Sequence, residues 1–366
     1  MKLLKKTKNR SWKMNLKNLR NKINAIDSKM VVLLNERAKI SGEVGELKVK
    51  SNKGIYSPAR EKEVLKRIEE LNKGPMAMEA FAAIYREIMS SSLALERISH
   101  IAYLGMKGSF TYMAAKDQFG SLVQYVSCSS ITEVFQKVEH GDCDYGVVPV
   151  ENSTEGAVTH TVDLLVDCEL KICAQRLLKV SHNLLSNISL KNIKKIYSNP
   201  QVFGQCRNWL LANLPPSQAK EIWVASTTEA AKKAVTEKNA AAIASMEAAK
   251  IYSLKVLKRS IQDIAHNTTR FLIISQQDAL PTGKDRTSII FSIKDKMGAL
   301  HAMLAPFHKN KINLTKIESR PSKKKAWDYY FFVDLEGHRC DANVKKALNQ
   351  LEGMCKYLKI VGSYPV

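Results

Sequence analysis

The chain has no apolar run approaching the roughly 18 residues of a membrane-spanning helix, so no span is predicted. No apolar segment lies near its start, and no secretory leader is expected. None of the seven cysteines falls in a C-x-x-C pair. Cys128, Cys143, Cys168, Cys173, Cys206, Cys340 and Cys355 read as separate thiols of a reducing compartment, and cytoplasmic placement is expected. Metal-ligand spacing is missing as well, and neither a metal nor another cofactor is expected. Acidic residues are absent from residues 1–22, which hold nine Lys or Arg. The formal net charge is +22, yet no RNP, helix-turn-helix or zinc-finger pattern accompanies it. A solvated lysine-rich surface that favours anionic small molecules is expected in place of nucleic-acid binding.

What is present points to a globular protein of two or three domains: 366 residues, 45% hydrophobic and 25% charged. From Leu16 to Lys50 the apolar residues keep a heptad rhythm. Leu16, Ile23, Met30 and Val44 share one position; Leu19, Ile26, Leu33, Ile40 and Leu47 share the other. This predicts one helix of about 35 residues packed against partner helices. Ser57-Pro58 predicts the cap and first residue of a second helix that stops at Gly74-Pro75. A third helix is expected over 76–97, with Phe81, Ile84, Ile88 and Leu95 facing inward. The basic stretch 1–13 reads as a disordered tail or a targeting remnant.

From Ile101 onward short apolar runs alternate with helical patterns, which predicts an α/β region over 100–276. Its strands are expected at 101–104, 145–150, 193–198, 241–244 and 267–274, and its helices near 111–119, 130–139, 202–211 and 228–236. Leu280–Lys284 reads as a linker, and residues 286–364 follow the order βαββαβ of a small ferredoxin-like α+β domain.

Two places carry chemistry. The run Asp144–Gly156, D-Y-G-V-V-P-V-E-N-S-T-E-G, is a Val-rich strand that delivers Glu151, Asn152, Ser153, Thr154 and Glu155 to its C-terminal edge. Such an edge is where an α/β sheet builds a site, although a capped polar turn has the same composition. Arg37 falls on the apolar position shared by Leu16 and Met30. A guanidinium there asks for an anionic ligand or for an ion pair with Glu36 or Glu61. Lys48 lies eleven residues on, about 16 Å along the same face, and the two cations together suit a small dicarboxylate. Arg20 lies about 25 Å from Arg37, too far for the same ligand within one straight helix, and it would serve a second subunit. Ser92 and Glu96 are i, i+4 neighbours on the third helix.

With these motifs in hand the chain resembles the bifunctional chorismate mutase–prephenate dehydratase family. Residues 14–97 resemble an all-helical mutase that forms an intertwined dimer. Residues 100–276 resemble a two-lobed, periplasmic-binding-like dehydratase, through Ala102–Thr111, Asp144–Gly156, Tyr197–Cys206 and Asn267–Phe271. Residues 286–364 resemble an ACT regulatory domain. The resemblance implies that chorismate is rearranged to prephenate, that prephenate loses carbon dioxide and hydroxide to give phenylpyruvate, and that phenylalanine inhibits. It implies Arg20 (from the other subunit), Arg37, Lys48, Arg60, Glu61, Ser92 and Glu96 for the mutase. For the dehydratase it implies Glu151, Asn152, Gln205 and Thr269, with Gly108, Ser109, Thr111, Ser153 and Thr154 as substrate contacts. Gly298, Ala299, Leu300, Glu318, Ser319 and Arg320 would hold the effector. Ser57, Glu96, Met106 and Asn199 depart from the usual family residues, and no essential base is expected at Asn199. Arogenate as the dehydratase substrate, or a ligand-binding regulator without turnover, are the rival readings.

Overall fold

The computed structural model describes residues 2–50, 56–293, 297–321 and 329–366, with side chains described for all but 2–15 and 49–50. Helix α1, Lys2–Lys50, is 49 residues long. It includes the basic stretch that the sequence suggested as a tail. No proline or glycine interrupts that stretch, and its Lys, Leu and Arg residues are good helix formers. Helix α2, Pro58–Leu71, begins as expected: the Ser57 side chain accepts from the Arg60 N–H, and Pro58 occupies the first turn.

Helix α3, Met78–Glu96, runs beside α1. Its buried residues are Ser90 and Ser92, whereas Ile84 and Leu95, expected to face inward, are exposed. Gly45 makes the close approach of α1 and α3 possible, because a Cβ there would lie 2.5 Å from the Glu96 side chain. Elsewhere along the described side chains of α1, Leu19, Ile23, Ile26, Leu33, Ile40 and Leu47 are all exposed.

Residues 100–276 form two lobes, each on its own sheet. The first sheet has the order Gln124–Cys128, His100–Leu104, Tyr145–Asn152, Thr268–Ser275, Lys171–Lys179. The first three strands are parallel and the last two run antiparallel to their neighbours. The second sheet has the order Val256–Lys258, Asn183–Leu185, Ala240–Ala244, Lys195–Ser198, Lys220–Trp223. The chain crosses to the second lobe after Lys179 and returns before Thr268, so a cleft lies between them.

The strand expected to stop at Val150 runs on to Asn152 because the returning strand pairs with it, Thr269 opposite Asn152. The helix expected over 202–211 is two helices, Pro200–Gln205 and Arg207–Asn213, broken at Cys206. The strands at 124–128, 171–179, 183–185 and 220–223 escaped the sequence reading. They are short or carry polar residues, and their pairing is tertiary.

The C-terminal domain has the expected βαββαβ order. Its four antiparallel strands are arranged Leu314–Pro321, Tyr329–Glu336, Asp285–Ser292, Tyr357–Pro365. Helices Ala299–Lys309 and Ala342–Glu352 share a core with one face of this sheet. From the other face Ile290, Phe332, Val361 and Tyr364 join the core of the first lobe. Gly362 lies against the backbone of Ile172, where a Cβ would fall 2.2 Å from the carbonyl oxygen. Across the same junction Arg270 pairs with Asp334 at 2.5 Å and donates to the Tyr364 hydroxyl at 2.7 Å, all three buried. The domain is packed onto the lobe, not merely tethered by Leu280–Lys284.

Candidate active sites

The helical region encloses a cavity of about 490 Å³ lined by all three helices. Arg37, Lys48, Arg60, Glu61, Ser92 and Glu96 all reach it. The Arg37 guanidinium donates to Ser92 Oγ at 2.6 Å, not to Glu36 or Glu61. Ser92 in turn donates to the Ile88 carbonyl one turn back. Lys48 Nζ pairs with Glu96 Oε2 at 3.3 Å. Among the described residues Arg60 pairs with exposed Glu63, at 2.7 Å. Such a surface pair is worth about 0–1 kcal/mol and yields readily to an anion.

Glu61 is buried deeper. It accepts from the Tyr56 hydroxyl at 2.7 Å and from Gln118 Nε2 at 3.3 Å. Desolvation raises its pKa, while the Tyr56 hydrogen bond and the charges of Arg176 and Arg86 oppose that shift. Arg20 does not line the cavity; it lies on the exposed part of α1.

The interlobe cleft has a volume of about 530 Å³. Its floor is a set of mutually hydrogen-bonded side chains at the strand ends. Asn152 Nδ2 donates to Thr269 Oγ1 and to Asn267 Oδ1, each at 2.8 Å. Asn152 Oδ1 accepts from the Thr154 hydroxyl at 2.6 Å and from the backbone N–H groups of Thr154 and Glu155. Because the Thr269 oxygen already accepts, its own O–H is left to donate into the cleft.

From the second lobe Gln205 Nε2 donates to Glu155 Oε1 at 2.8 Å. That carboxylate orients the amide, so Gln205 Oε1 faces Asn267 Nδ2 at 3.2 Å and His182 Nε2 at 2.8 Å. The imidazole therefore carries its proton on Nε2. Burial pushes the His182 pKa below its ordinary value, which keeps the ring neutral. The sequence reading missed His182 and did not count Glu155 or Asn267 as site residues. His182 stands in an unremarkable S-H-N-L-L run, and only the fold places it beside Gln205.

Several expected residues lie elsewhere. Glu151 is absent from the cleft lining, because successive side chains of a strand alternate faces and Asn152 takes the cleft side. Glu151 pairs with Lys316 of the C-terminal domain at 3.1 Å. Ser153 accepts from the Thr268 N–H and donates to the His266 carbonyl, which fastens the edge of the sheet. Gly108, Ser109 and Thr111 do not line the cleft either. Ser109 caps the helix Phe110–Phe119, Gly108 takes φ +95° against Ala248, and Thr111 is buried. Asn199, which does line the cleft, caps Pro200–Gln205 by accepting from Gln201 N–H.

In the C-terminal domain Gly298 adopts φ +75° before the helix Ala299–Lys309, with Ala299 buried and Leu300 exposed. Ser319 lies in the strand Leu314–Pro321 between two residues engaged by ion pairs. Glu318 pairs with Lys316 at 3.3 Å, and Arg320 with Asp163 of the first lobe at 3.2 Å.

Family models match three consecutive parts of the chain: chorismate mutase type II over residues 19–97, prephenate dehydratase over 101–279 and the ACT domain over 287–353. The bifunctional chorismate mutase/prephenate dehydratase of Aquifex aeolicus is 48% identical over 355 residues, covering 96% of this chain and 98% of that protein. Its counterpart in Pseudomonas aeruginosa is 45% identical over 357 residues, covering 96% and 97%. The structure of prephenate dehydratase from Arthrobacter aurescens in complex with L-Phe superposes with a TM-score of 0.67 at 31% identity, over 73% of this chain and 90% of that one.

Proposed function

The chain belongs to the family of bifunctional chorismate mutase/prephenate dehydratases, and on that premise we propose how its residues divide the work. The enzyme rearranges chorismate to prephenate and converts prephenate to phenylpyruvate, and its ACT domain fits feedback by phenylalanine. In the mutase, Arg37 and Arg60 hold carboxylates, Ser92 fixes Arg37, and Glu61 accepts from a ring hydroxyl. Lys48, held by Glu96, donates to the ether oxygen, where negative charge grows as the bond breaks. No proton is transferred, so catalysis consists of holding the reactive conformation and stabilising that charge.

A second copy of this chain completes the mutase site. The support is the uncovered apolar stripe of α1 together with Arg20, which no ligand in the cavity of its own chain can reach. A homodimer, placed in the cytoplasm and without cofactor, is the state we propose.

In the dehydratase, Thr269 donates a hydrogen bond to the departing hydroxyl, which is a poor leaving group without one. Asn152 orients Thr269, and Gln205, locked by Glu155 and His182, closes the cleft from the second lobe. Glu151 acts from the opposite face of the strand and takes no part in bond breaking. The observation that carries this reading is the Asn152–Thr269 hydrogen bond, which leaves the threonine proton free for the substrate. Effector binding falls to Gly298–Leu300 and Glu318–Arg320, at a helix start and a strand end.

Supplying chorismate alone to the purified enzyme tests the whole: phenylpyruvate should accumulate, and its absence would overturn the pairing of activities. Arogenate offered beside prephenate checks the substrate, with faster turnover of prephenate expected.

A further inference from the structure

The mutase family model ends at Arg97, yet the wall of the mutase cavity does not. Gln118 and Phe119, at the C-terminal end of the first helix of the dehydratase region, line it too. The docking that brings them there is tight. The Glu87 carboxylate accepts from Ser121 N–H at 3.1 Å and from Ser121 Oγ at 3.2 Å, and Ser90 Oγ accepts from Leu122 N–H at 3.0 Å. Arg86 pairs with Asp117 at 2.9 Å. Gly120 takes φ +74°, and a Cβ there would meet Ser90 at 2.6 Å.

Gln118 is buried, and its amide nitrogen bonds both the Tyr56 hydroxyl and Glu61 Oε2. An ionised carboxylate only accepts, so the amide must present its NH₂ to it. Tyr56 donates to the same oxygen. Both bonds land on Oε2, and Oε1 is the oxygen left for a ligand hydroxyl. We propose that Gln118, although it belongs to the dehydratase region, is a positioning residue of the mutase: its amide keeps the Glu61 carboxylate ionised and aimed into the cavity. The proposal rests on the reading of Glu61 as a chorismate-binding residue.

The electrostatics agree with the geometry. Burial holds the Glu61 pKa above its ordinary value, and the Tyr56 hydrogen bond with the charges of Arg176 and Arg86 offsets that rise only in part, so a further donor to the charged form matters. The charged groups facing Glu61 are Arg86 of α3, Asp117 of the helix Phe110–Phe119 and Arg176 of the strand Lys171–Lys179. Across the cavity stand Glu36, Arg37 and Lys48 of α1, Arg60 of α2 and Glu96 of α3. Tyr56 itself packs on Phe119 and Tyr145. Asp117 is already shared by Arg86 and Arg176, so Gln118 is the neutral donor that this side of the junction adds.

The test is the pH profile of mutase kcat/KM in the full-length enzyme, with dehydratase turnover of prephenate in the same preparation as the check on folding. Gln118→Leu should move the acid limb upward by about one pH unit, roughly a tenfold loss below it. Gln118→Glu puts a like charge beside Glu61 and should move it further. Adding Gln118→Leu to Glu61→Gln should move nothing, since the amide does not titrate. If both Gln118 variants keep dehydratase activity and the acid limb stays in place while Glu61→Gln impairs the mutase, the role of Gln118 is overturned. If Glu61→Gln itself leaves the mutase intact, the underlying site reading fails instead. Should Gln118→Leu fail to fold, the position of the limb in Gln118→Glu decides.

Discussion

The two candidate pockets are built in opposite ways. The mutase cavity is a gap between helix faces, rich in long cations, and one of its expected arginines cannot reach it from its own chain. The dehydratase cleft is lined by short amides and hydroxyls at strand ends, each oriented by another before any substrate arrives. The difference follows the chemistry. A pericyclic rearrangement needs shape and complementary charge, which long flexible side chains supply once a dianion binds. Departure of hydroxide needs one proton donor in one place, and that demands a locked rotamer.

The contrast can be broken in several places. The largest effect concerns the core that the dehydratase lobe shares with the ACT domain. Asp334→Ala leaves the Arg270 guanidinium buried without its partner, and should cost about 3–5 kcal/mol of stability. A chemical denaturation midpoint equal to that of the parent would contradict it. For the same reason, cutting the chain near Pro281 should destabilise the lobe as well as remove regulation.

Next comes the single donor. Thr269→Val should lower dehydratase kcat about a hundredfold or more while the mutase is spared, and Thr269→Ser should retain most activity. Equal rates in the two variants would show that the hydroxyl is not used. If the mutase pocket is split between subunits, Arg20→Ala and Arg37→Ala should each be nearly inactive as mutases. A subunit-exchanged mixture should then regain about a quarter of the parent activity, because about half of its dimers are mixed and each of those has one whole site of two. Mixtures no better than their components would place the site within one chain.

Smaller still, Glu96→Gln should change mutase kcat by no more than about tenfold, because the amide oxygen still accepts from Lys48. Glu96→Leu should cost more, and equal rates in the two variants would remove Glu96 from the role. The smallest effect is regulatory. Arg320→Ala should raise the phenylalanine concentration for half-inhibition several-fold, within a coupling of about 1–3 kcal/mol, without loss of turnover at saturating prephenate. Inhibition curves that superpose would separate Arg320 from the effector site.

Most of the architecture was legible because it rests on local rules. The heptad of α1, the Ser57-Pro58 start of α2 and the βαββαβ order of the last domain are written in periodicity and caps. What was missed is non-local. The strand Lys171–Lys179 mixes polar and apolar residues, and it is a strand because Thr268–Ser275 pairs along it. Glu151 and Asn152 are neighbours in one motif, and resemblance treats them alike. The pleat sends them to opposite faces, one to the ACT domain and one to the cleft. His182 carries no motif at all and gains meaning only from Gln205, 23 positions away.

The sequence by itself determined the three-part order, the two kinds of chemistry and, in the pockets, Arg37, Lys48, Arg60, Glu61, Ser92 and Glu96 of the one and Asn152, Gln205 and Thr269 of the other, because periodicity, caps and motif runs act over a few residues. Only the tertiary structure decided which side of a strand a carboxylate serves, and that the ACT domain shares a core with the lobe it regulates. It also decided that Gln118 of one module stands in the wall of the other's site. These depend on distances between residues far apart in the chain, and such distances are set by sheet pairing and domain packing, on which no local pattern reports.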